Sequence, residues 1–213
     1  MQIALVDNRS HWETVYATKR VDAVSWYQPS ARRSLELIQR VAPDRDAPII
    51  DVGGGASVLV DDLVRAGYRD VTVLDIAENA LDAARERLGD AGASVRWMAA
   101  DARTATLPSA HFEVWHDRAV FHFLIDAVDR AAYVAQLERA LRPGGFAIIA
   151  TFAEDGPTSC SGLAVVRYSV EELRVAFGDA FELVASERES HETPSGARQS
   201  FIYCTFRLRA SGR

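Results

Sequence analysis

The sequence predicts an α/β fold: a mostly parallel sheet with helices on both faces and an antiparallel pair of strands at its end. Three observations carry this expectation. Strand and helix signals alternate from Ala47 to Leu141, the pattern of βαβ units around a parallel sheet. The apolar run Ala47–Val52 passes through a glycine triplet, Gly53-Gly54-Gly55, into a helical segment, Val58–Arg65. Near the end, the strand-like runs Phe181–Glu187 and Gln199–Arg207 are separated only by a polar stretch rich in Thr, Pro, Ser and Gly. Two strands joined in this way form a hairpin, because a right-handed parallel crossover needs a helix between them.

The other elements follow in chain order. Val71–Asp75 reads as the second strand and Glu78–Leu88 as its helix, with apolar residues at helical spacing. Ser94–Ala99 is the third strand and Phe112–Asp117 the fourth. Asp129–Leu141 is an amphipathic helix ended by Arg142-Pro143-Gly144-Gly145, since proline cannot continue it and glycine tolerates the turn. Phe146–Phe152 is the fifth strand, and Ser169 with Glu172 has the spacing of a capping box opening a helix to Phe177.

Composition narrows the function classes. The 213 residues are enough for one α/β domain with a sizeable core, and 48% hydrophobic with 25% charged residues is ordinary for a soluble protein. A net charge of −6 argues against a nucleic-acid partner, because a phosphate backbone calls for a Lys/Arg surplus. Cys160 and Cys204 are far apart and lack metal-ligand spacing, so the expectation is free thiols in a reducing cytoplasm and no metal. No apolar run approaches the roughly 20 residues of a membrane span. Met1–Glu13 lacks a basic region followed by an apolar stretch, so no signal peptide is expected.

The glycine triplet points to the ligand. A dinucleotide fingerprint needs G-x-G-x-x-G, and Val58 stands where the third glycine belongs. Asp51, two residues before Gly53, would repel a pyrophosphate and favour a cationic amine or sulfonium. In Asp51-Val52-Gly53-Gly54-Gly55 the chain carries D-x-G-x-G and resembles the class I S-adenosylmethionine-dependent methyltransferases, with Asp51, Gly53 and Gly55 matching position by position. The resemblance spans roughly Ala47 to Leu208. It implies a Rossmann-like methyltransferase fold with a seven-stranded sheet ordered 3-2-1-4-5-7-6 and a switch point between the first and fourth strands. It also implies S-adenosyl-L-methionine as cofactor and S-adenosyl-L-homocysteine as product. The expected organisation is an N-terminal helical lid segment, 1–45, before the cofactor-binding domain, 46–213.

The same resemblance distributes roles. Asp75, ending the second strand, accepts from the ribose hydroxyls; a carboxylate suits that task, having two acceptor oxygens and no proton to donate. Asp101 meets the adenine amino group, the Ala102 backbone amide meets the ring, and Ile76 packs on its face. Gly53, Gly54 and Gly55 let the chain turn against the ligand. The run Trp115-His116-Asp117-Arg118-Ala119-Val120-Phe121-His122-Phe123 closes the fourth strand and enters the following segment, and in this fold the residues just past that strand face the transferable methyl group. His116 and His122 are the candidate bases and Arg118 a candidate holder of an anionic substrate group. Asp117 is grouped with the cofactor-binding residues. If Arg118 begins a helical turn, His122 shares its face. The alternative is an internal network in which Asp117 pairs with Arg118 and both histidines bond the backbone.

The segment His11-Trp12-Glu13-Thr14-Val15-Tyr16 resembles the W-E-x-x-Y entry of small methyltransferases, which folds over the cofactor. Tyr16 and Trp26, with Tyr27 beside them, would enclose the sulfonium by cation–π attraction, or else staple the segment to the sheet. Cys160 reads as filler and His191 as an exposed turn residue. The expected reaction is in-line methyl transfer to a small-molecule O, N or S nucleophile, the protein aligning the acceptor and excluding water. With no added substrate domain, the N-terminal segment and two late loops shape the pocket. The competing functions are a protein-lysine methyltransferase, a cofactor-binding protein without catalysis, and an NAD-linked oxidoreductase. An enclosed aromatic pocket would favour the small molecule, and an open acidic groove the protein. Neither nucleic acid nor membrane is an expected partner.

Overall fold

Side by side in the computed structural model, which describes residues 8–210, the apolar runs form one seven-stranded sheet. The strands β1 (Ile49–Val52), β2 (Val71–Asp75), β3 (Arg96–Ala99), β4 (Phe112–Arg118) and β5 (Leu141–Phe152) are parallel. The last pair, β6 (Phe181–Glu192) and β7 (Arg198–Leu208), is antiparallel, with β7 inserted next to β5. The order is therefore 3-2-1-4-5-7-6, with the reversal of winding at β1 between β2 and β4. The expected absence of a leader in Met1–Glu13 concerns in part residues 1–7, outside the described residues. Among the described residues, no helix is long and apolar enough to cross a membrane.

Every residue of β1 and β2 is buried, which is why those strands read as continuous apolar runs. The twofold alternation of side chains sends Ile50, Val52 and Leu74 to one face, and Ile49, Val71 and Val73 to the other. The first face is covered by α5 (Ala127–Ala140) and α6 (Val170–Phe177), through Tyr133, Leu137, Leu173 and Phe177. The second is covered by α2 (Arg32–Val41) and α3 (Leu59–Arg65), with Leu81 of α4 (Glu78–Leu88). Each large apolar side chain sealed in this way contributes about 1.5–3 kcal/mol. α1 (Asn8–Thr18) lies against α4. The capping box opening α6 is present, Ser169 and Glu172 bonding reciprocally.

Three departures from the expected bounds have a local physical reason. β5 begins at Leu141 rather than Phe146, because Arg142-Pro143-Gly144-Gly145 bulges out of the strand instead of ending it; the register steps from Phe112↔Leu141 to Val114↔Phe146. A Cβ at Gly145 would lie 2.9 Å from the Arg142 carbonyl oxygen, so the bulge needs glycine there. The final hairpin runs on to the pair Glu192↔Arg198, because β6 is an edge strand whose outer positions are polar and mask the strand pattern. This draws His191 out of the expected exposed turn: it is buried on β6, its Nε2 2.9 Å from the Ser25 carbonyl oxygen. Finally, β4 continues through Arg118, and the chain then reverses at Ala119, whose φ is +71°.

Candidate active site

Two adjoining cavities open at the carboxyl ends of β1–β4 and share Tyr16, Trp26, Gly53 and Arg118 as common wall. The larger encloses about 870 Å³, open mouth included, and is lined by Asp75, Ile76, Asp101 and Ala102 together with Trp12 and Phe123. The smaller, about 590 Å³ on the same measure, is lined by Asp51, Gly54, Ser34, Tyr27 and His116. Parallel strands deliver this arrangement because each brings the residue after its last apolar position to the same edge.

The three predicted acids all reach these walls, in different states. Asp51 is buried and gives Oδ1 to His116 Nδ1 at 2.7 Å, while its Oδ2 is buried without any hydrogen-bond partner. Asp75 accepts the Ala77 N–H at 2.8 Å. Burial pushes its carboxyl up to about 7; the Ala77 N–H pulls it down and the charge of Asp51 pushes it up further. Asp101 accepts the Arg103 backbone N–H at 2.8 Å and bonds the Arg103 guanidinium, which also holds Asp129 at 2.6 Å. Burial alone would raise the Asp101 carboxyl, but Arg103 more than reverses this and leaves it below the usual range.

The glycine turn forms a tight cradle. A Cβ at Gly54 would lie 2.5 Å from Asp51 Oδ2, and one at Gly53, where φ is +68°, would collide with the Val120 side chain. Gly55 lies behind the cavity walls, with Asp75 Oδ2 only 2.6 Å from where its Cβ would stand. An orphaned carboxylate oxygen, two further acids and a bare backbone turn fit a cationic adenosyl sulfonium better than a pyrophosphate.

An aromatic roof covers the larger cavity. Trp12 meets Phe123 with ring centroids 5.1 Å apart and Trp26 at 5.6 Å, and Tyr16 lies 6.2 Å from Trp26. Trp12 and Tyr16 belong to α1, which Glu13 ties down: its carboxylate accepts the Glu78 N–H at 2.7 Å and the Asn79 N–H at 3.2 Å. Ala77, the N-cap of α4, supplies no side-chain cap, so Glu13 does so from another helix. Glu13→Ala is expected to cost about 1 kcal/mol, as loss of a cap does. Thermal denaturation should show Tm lower by about 2–4 °C, and limited proteolysis should show faster cleavage within α1.

The acceptor-side residues are rearranged relative to expectation. Because Ala119 takes a φ of +71°, helical spacing from Arg118 does not apply, and His122 lies inside the protein rather than in a cavity wall. It is fully buried, lines neither cavity, and accepts the Phe152 N–H at 3.4 Å through Nδ1. Burial, with Arg118 nearby, lowers its imidazole to about 3, so His122 is corrected from candidate base to neutral wall support. Asp117 is corrected as well: fully buried and absent from both cavity walls, it accepts the N–H groups of Val120 and Phe121 at 2.9 and 3.0 Å and the Tyr133 hydroxyl at 2.5 Å. His116 lines the smaller cavity, but its ring nitrogens are occupied by Asp51 and by Ser34 Oγ at 2.9 Å, which removes it as a base for the acceptor.

Arg118 lines both cavities, as an acceptor-side residue should. It does not pair with Asp117. It donates to the Tyr203 hydroxyl at 3.0 Å and the Trp26 carbonyl at 3.2 Å and stacks 4.4 Å over Phe201, while Nη2 makes no hydrogen bond and lies 3.9 Å from the Glu189 carboxylate. Cys160 lies in the wall of the larger cavity, where burial raises its thiol. Ser34, Phe123 and Arg103 are site residues that the sequence reading passed over. Arg103, two positions after Asp101, carried the one signal that spacing offered. Ser34 carried none, since its role depends on how α2 packs.

Residues 49–145 match the family described as a methyltransferase domain. The human EEF1A lysine methyltransferase 2 is 24% identical over 190 residues, covering 83% of this chain and 75% of that protein. An uncharacterized methyltransferase of Mycobacterium tuberculosis is 34% identical over 116 residues, 54% of this chain and 56% of its own length. Among solved structures, 1,6-didemethyltoxoflavin-N1-methyltransferase of Burkholderia thailandensis, with bound 1,6-didemethyltoxoflavin and S-adenosylhomocysteine, superimposes with a TM-score of 0.70. It is 21% identical, covers 94% of this chain and 87% of its own, and at that identity the likeness is one of fold.

Proposed function

We propose that this chain is a class I S-adenosylmethionine-dependent methyltransferase that methylates a small molecule bearing an oxygen, nitrogen or sulfur nucleophile. The observation carrying this reading is the roof of Trp12, Tyr16, Trp26 and Phe123 over the larger cavity. An aromatic enclosure around the bound cofactor would leave its methyl group only a confined approach, which suits a compact acceptor. Bound there, the cofactor supplies a methyl group on a positively charged sulfur. Asp75 would hold the ribose, Ile76, Asp101 and Ala102 the adenine, and Asp51 with Gly53 and Gly54 the amino-acid end. Tyr16 and Trp26 would stabilise the positive sulfur and keep water out. Residues 8–45 act in this reading as the lid over the domain that follows.

With His122 sealed behind the wall and His116 bonded on both sides, neither of these two imidazoles is free to deprotonate the acceptor. The reading therefore takes an acceptor already nucleophilic near neutral pH, such as a thiolate or a neutral amine. Arg118, which lines both cavities, is the residue to hold an anionic group on it, in exchange for the Glu189 carboxylate 3.9 Å from its Nη2.

A protein lysine is the second reading, supported by the lysine methyltransferases among the relatives. Labelled cofactor offered in parallel to a panel of phenols, amines, thiols and carboxylic acids, and to a protein-only lysate fraction, decides between them. We expect label in one class of small molecule and a blank protein fraction. Label on lysines in that fraction, with a silent panel, would reverse the acceptor class.

A further inference from the structure

We infer that Ser34 and His116 are positioning residues that hold Asp51 as the receptor for the α-ammonium group at the amino-acid end of the cofactor. The inference rests on the methyltransferase reading and extends it to two residues of this chain. The β1–β4 register sets Asp51 directly beside His116, and both side chains are almost wholly buried. Their contact is Oδ1 to Nδ1 at 2.7 Å, and the other ring nitrogen meets Ser34 Oγ at 2.9 Å.

The hydrogens in this chain have one assignment for a neutral ring. An ionised carboxylate only accepts, so the ring hydrogen sits on Nδ1; Nε2 is then an acceptor, and the Ser34 hydroxyl donates to it. Asp51 thereby fixes the tautomer, and Ser34, bonded to the far nitrogen, holds the ring in the orientation that engages Oδ1. With Oδ1 committed, Oδ2 is the oxygen left over, buried and unpartnered against Gly54. A buried acceptor without a donor is costly, and a charged donor would satisfy it most strongly. The cavity that Asp51 lines also exposes the Gly53–Gly54 turn, where backbone rather than side chain meets the ligand. A primary ammonium, with three N–H donors and a positive charge, suits this site. Adenine, ribose and an uncharged thioether do not need it.

Two ligands separate this role from general packing. S-adenosylhomocysteine carries the ammonium group; 5′-methylthioadenosine keeps the adenosine and thioether but lacks the amino-acid end. Calorimetry on the full chain should show that His116→Phe weakens S-adenosylhomocysteine about tenfold or more, the loss of one charge-assisted hydrogen bond, and leaves 5′-methylthioadenosine within about twofold. His116→Asn, whose amide N–H stands near the Nδ1 position, should bring S-adenosylhomocysteine back to within about threefold of the unmodified chain.

Ser34→Ala tests the far end of the relay with little risk to folding, and decides the matter alone if His116→Phe does not fold. It should weaken S-adenosylhomocysteine about threefold and leave 5′-methylthioadenosine unchanged. Equal losses for both ligands would make the relay ordinary packing, and unchanged S-adenosylhomocysteine affinity in Ser34→Ala would break its Ser34 link. If the unmodified chain binds neither ligand, the cofactor reading itself fails, and the relay with it.

Discussion

Asp75→Ala is expected to weaken S-adenosylhomocysteine binding by about 1.5–3 kcal/mol, roughly ten- to a hundredfold, because it removes the buried carboxylate proposed to make charge-assisted bonds to the ribose diol. The pH dependence makes this prediction sharper. Burial pushes the Asp75 carboxyl up to about 7 from an ordinary value of 3.8, with Ala77 opposing and Asp51 adding to the shift. Its folded value is thus raised, so between these two pH values the folded, ligand-free chain holds a proton that the unfolded chain has released. By linkage, the contribution of Asp75 to stability declines as pH rises through that window.

A ribose diol donates to the ionised carboxylate, so binding works in the opposite direction: the ligand must expel that proton below about 7. Affinity should therefore tighten with rising pH, by at most about tenfold per unit below the shifted value, and level off above it. Calorimetry at pH 6, 7 and 8 reads the slope directly. 5′-Methylthioadenosine should show the same slope, since it keeps the ribose and has no amino group of its own to titrate. Asp75→Asn should flatten it. An unmodified chain whose affinity is flat from pH 6 to 8, or a slope that survives Asp75→Asn, would remove Asp75 from ribose binding.

Much of the site was legible because its signals are local. Asp51, Asp75 and Asp101 each follow an apolar strand run, and parallel strands bring such positions to one edge without any knowledge of side-chain packing. The hairpin was legible from the missing helix between its strands. What escaped depends on backbone geometry at single residues or on contacts between distant segments. Between Arg118 at the cavity and the buried His122 stands Ala119 in a left-handed conformation, which breaks the helical spacing, and alanine gives no warning of a positive φ. Ser34 lies 82 positions from His116, and Glu13 lies 65 positions from the helix it caps. Histidine and aspartate in a short polar run carry the same letters whether they face a substrate or satisfy the turn that shapes the wall.

Asp117 is the test of that distinction, and its removal should be felt in folding rather than in binding. Asp117→Ala leaves the Val120 and Phe121 N–H groups and the Tyr133 hydroxyl, all now bonded to one carboxylate, without an acceptor in a fully buried turn. Unsatisfied buried donors cost about 1–3 kcal/mol each, but the turn can relax and water can enter the vacated space, so a total loss of about 3–5 kcal/mol is expected. Burial pushes the Asp117 carboxyl up to about 6, and the Tyr133 hydroxyl and Val120 N–H pull against that shift, so these bonds are what make the charge tolerable there. Urea titration should show the midpoint fall with its slope unchanged, the signature of lost stability without a change in the surface exposed on unfolding. Calorimetry on the folded variant, in the absence of denaturant, should find S-adenosylhomocysteine affinity within about threefold of the unmodified chain, since Asp117 lines neither cavity and reaches the wall only through Val120 and Tyr133. The reverse result, full stability with affinity lost tenfold or more, would return Asp117 to the cofactor site and require a rotamer that releases the turn.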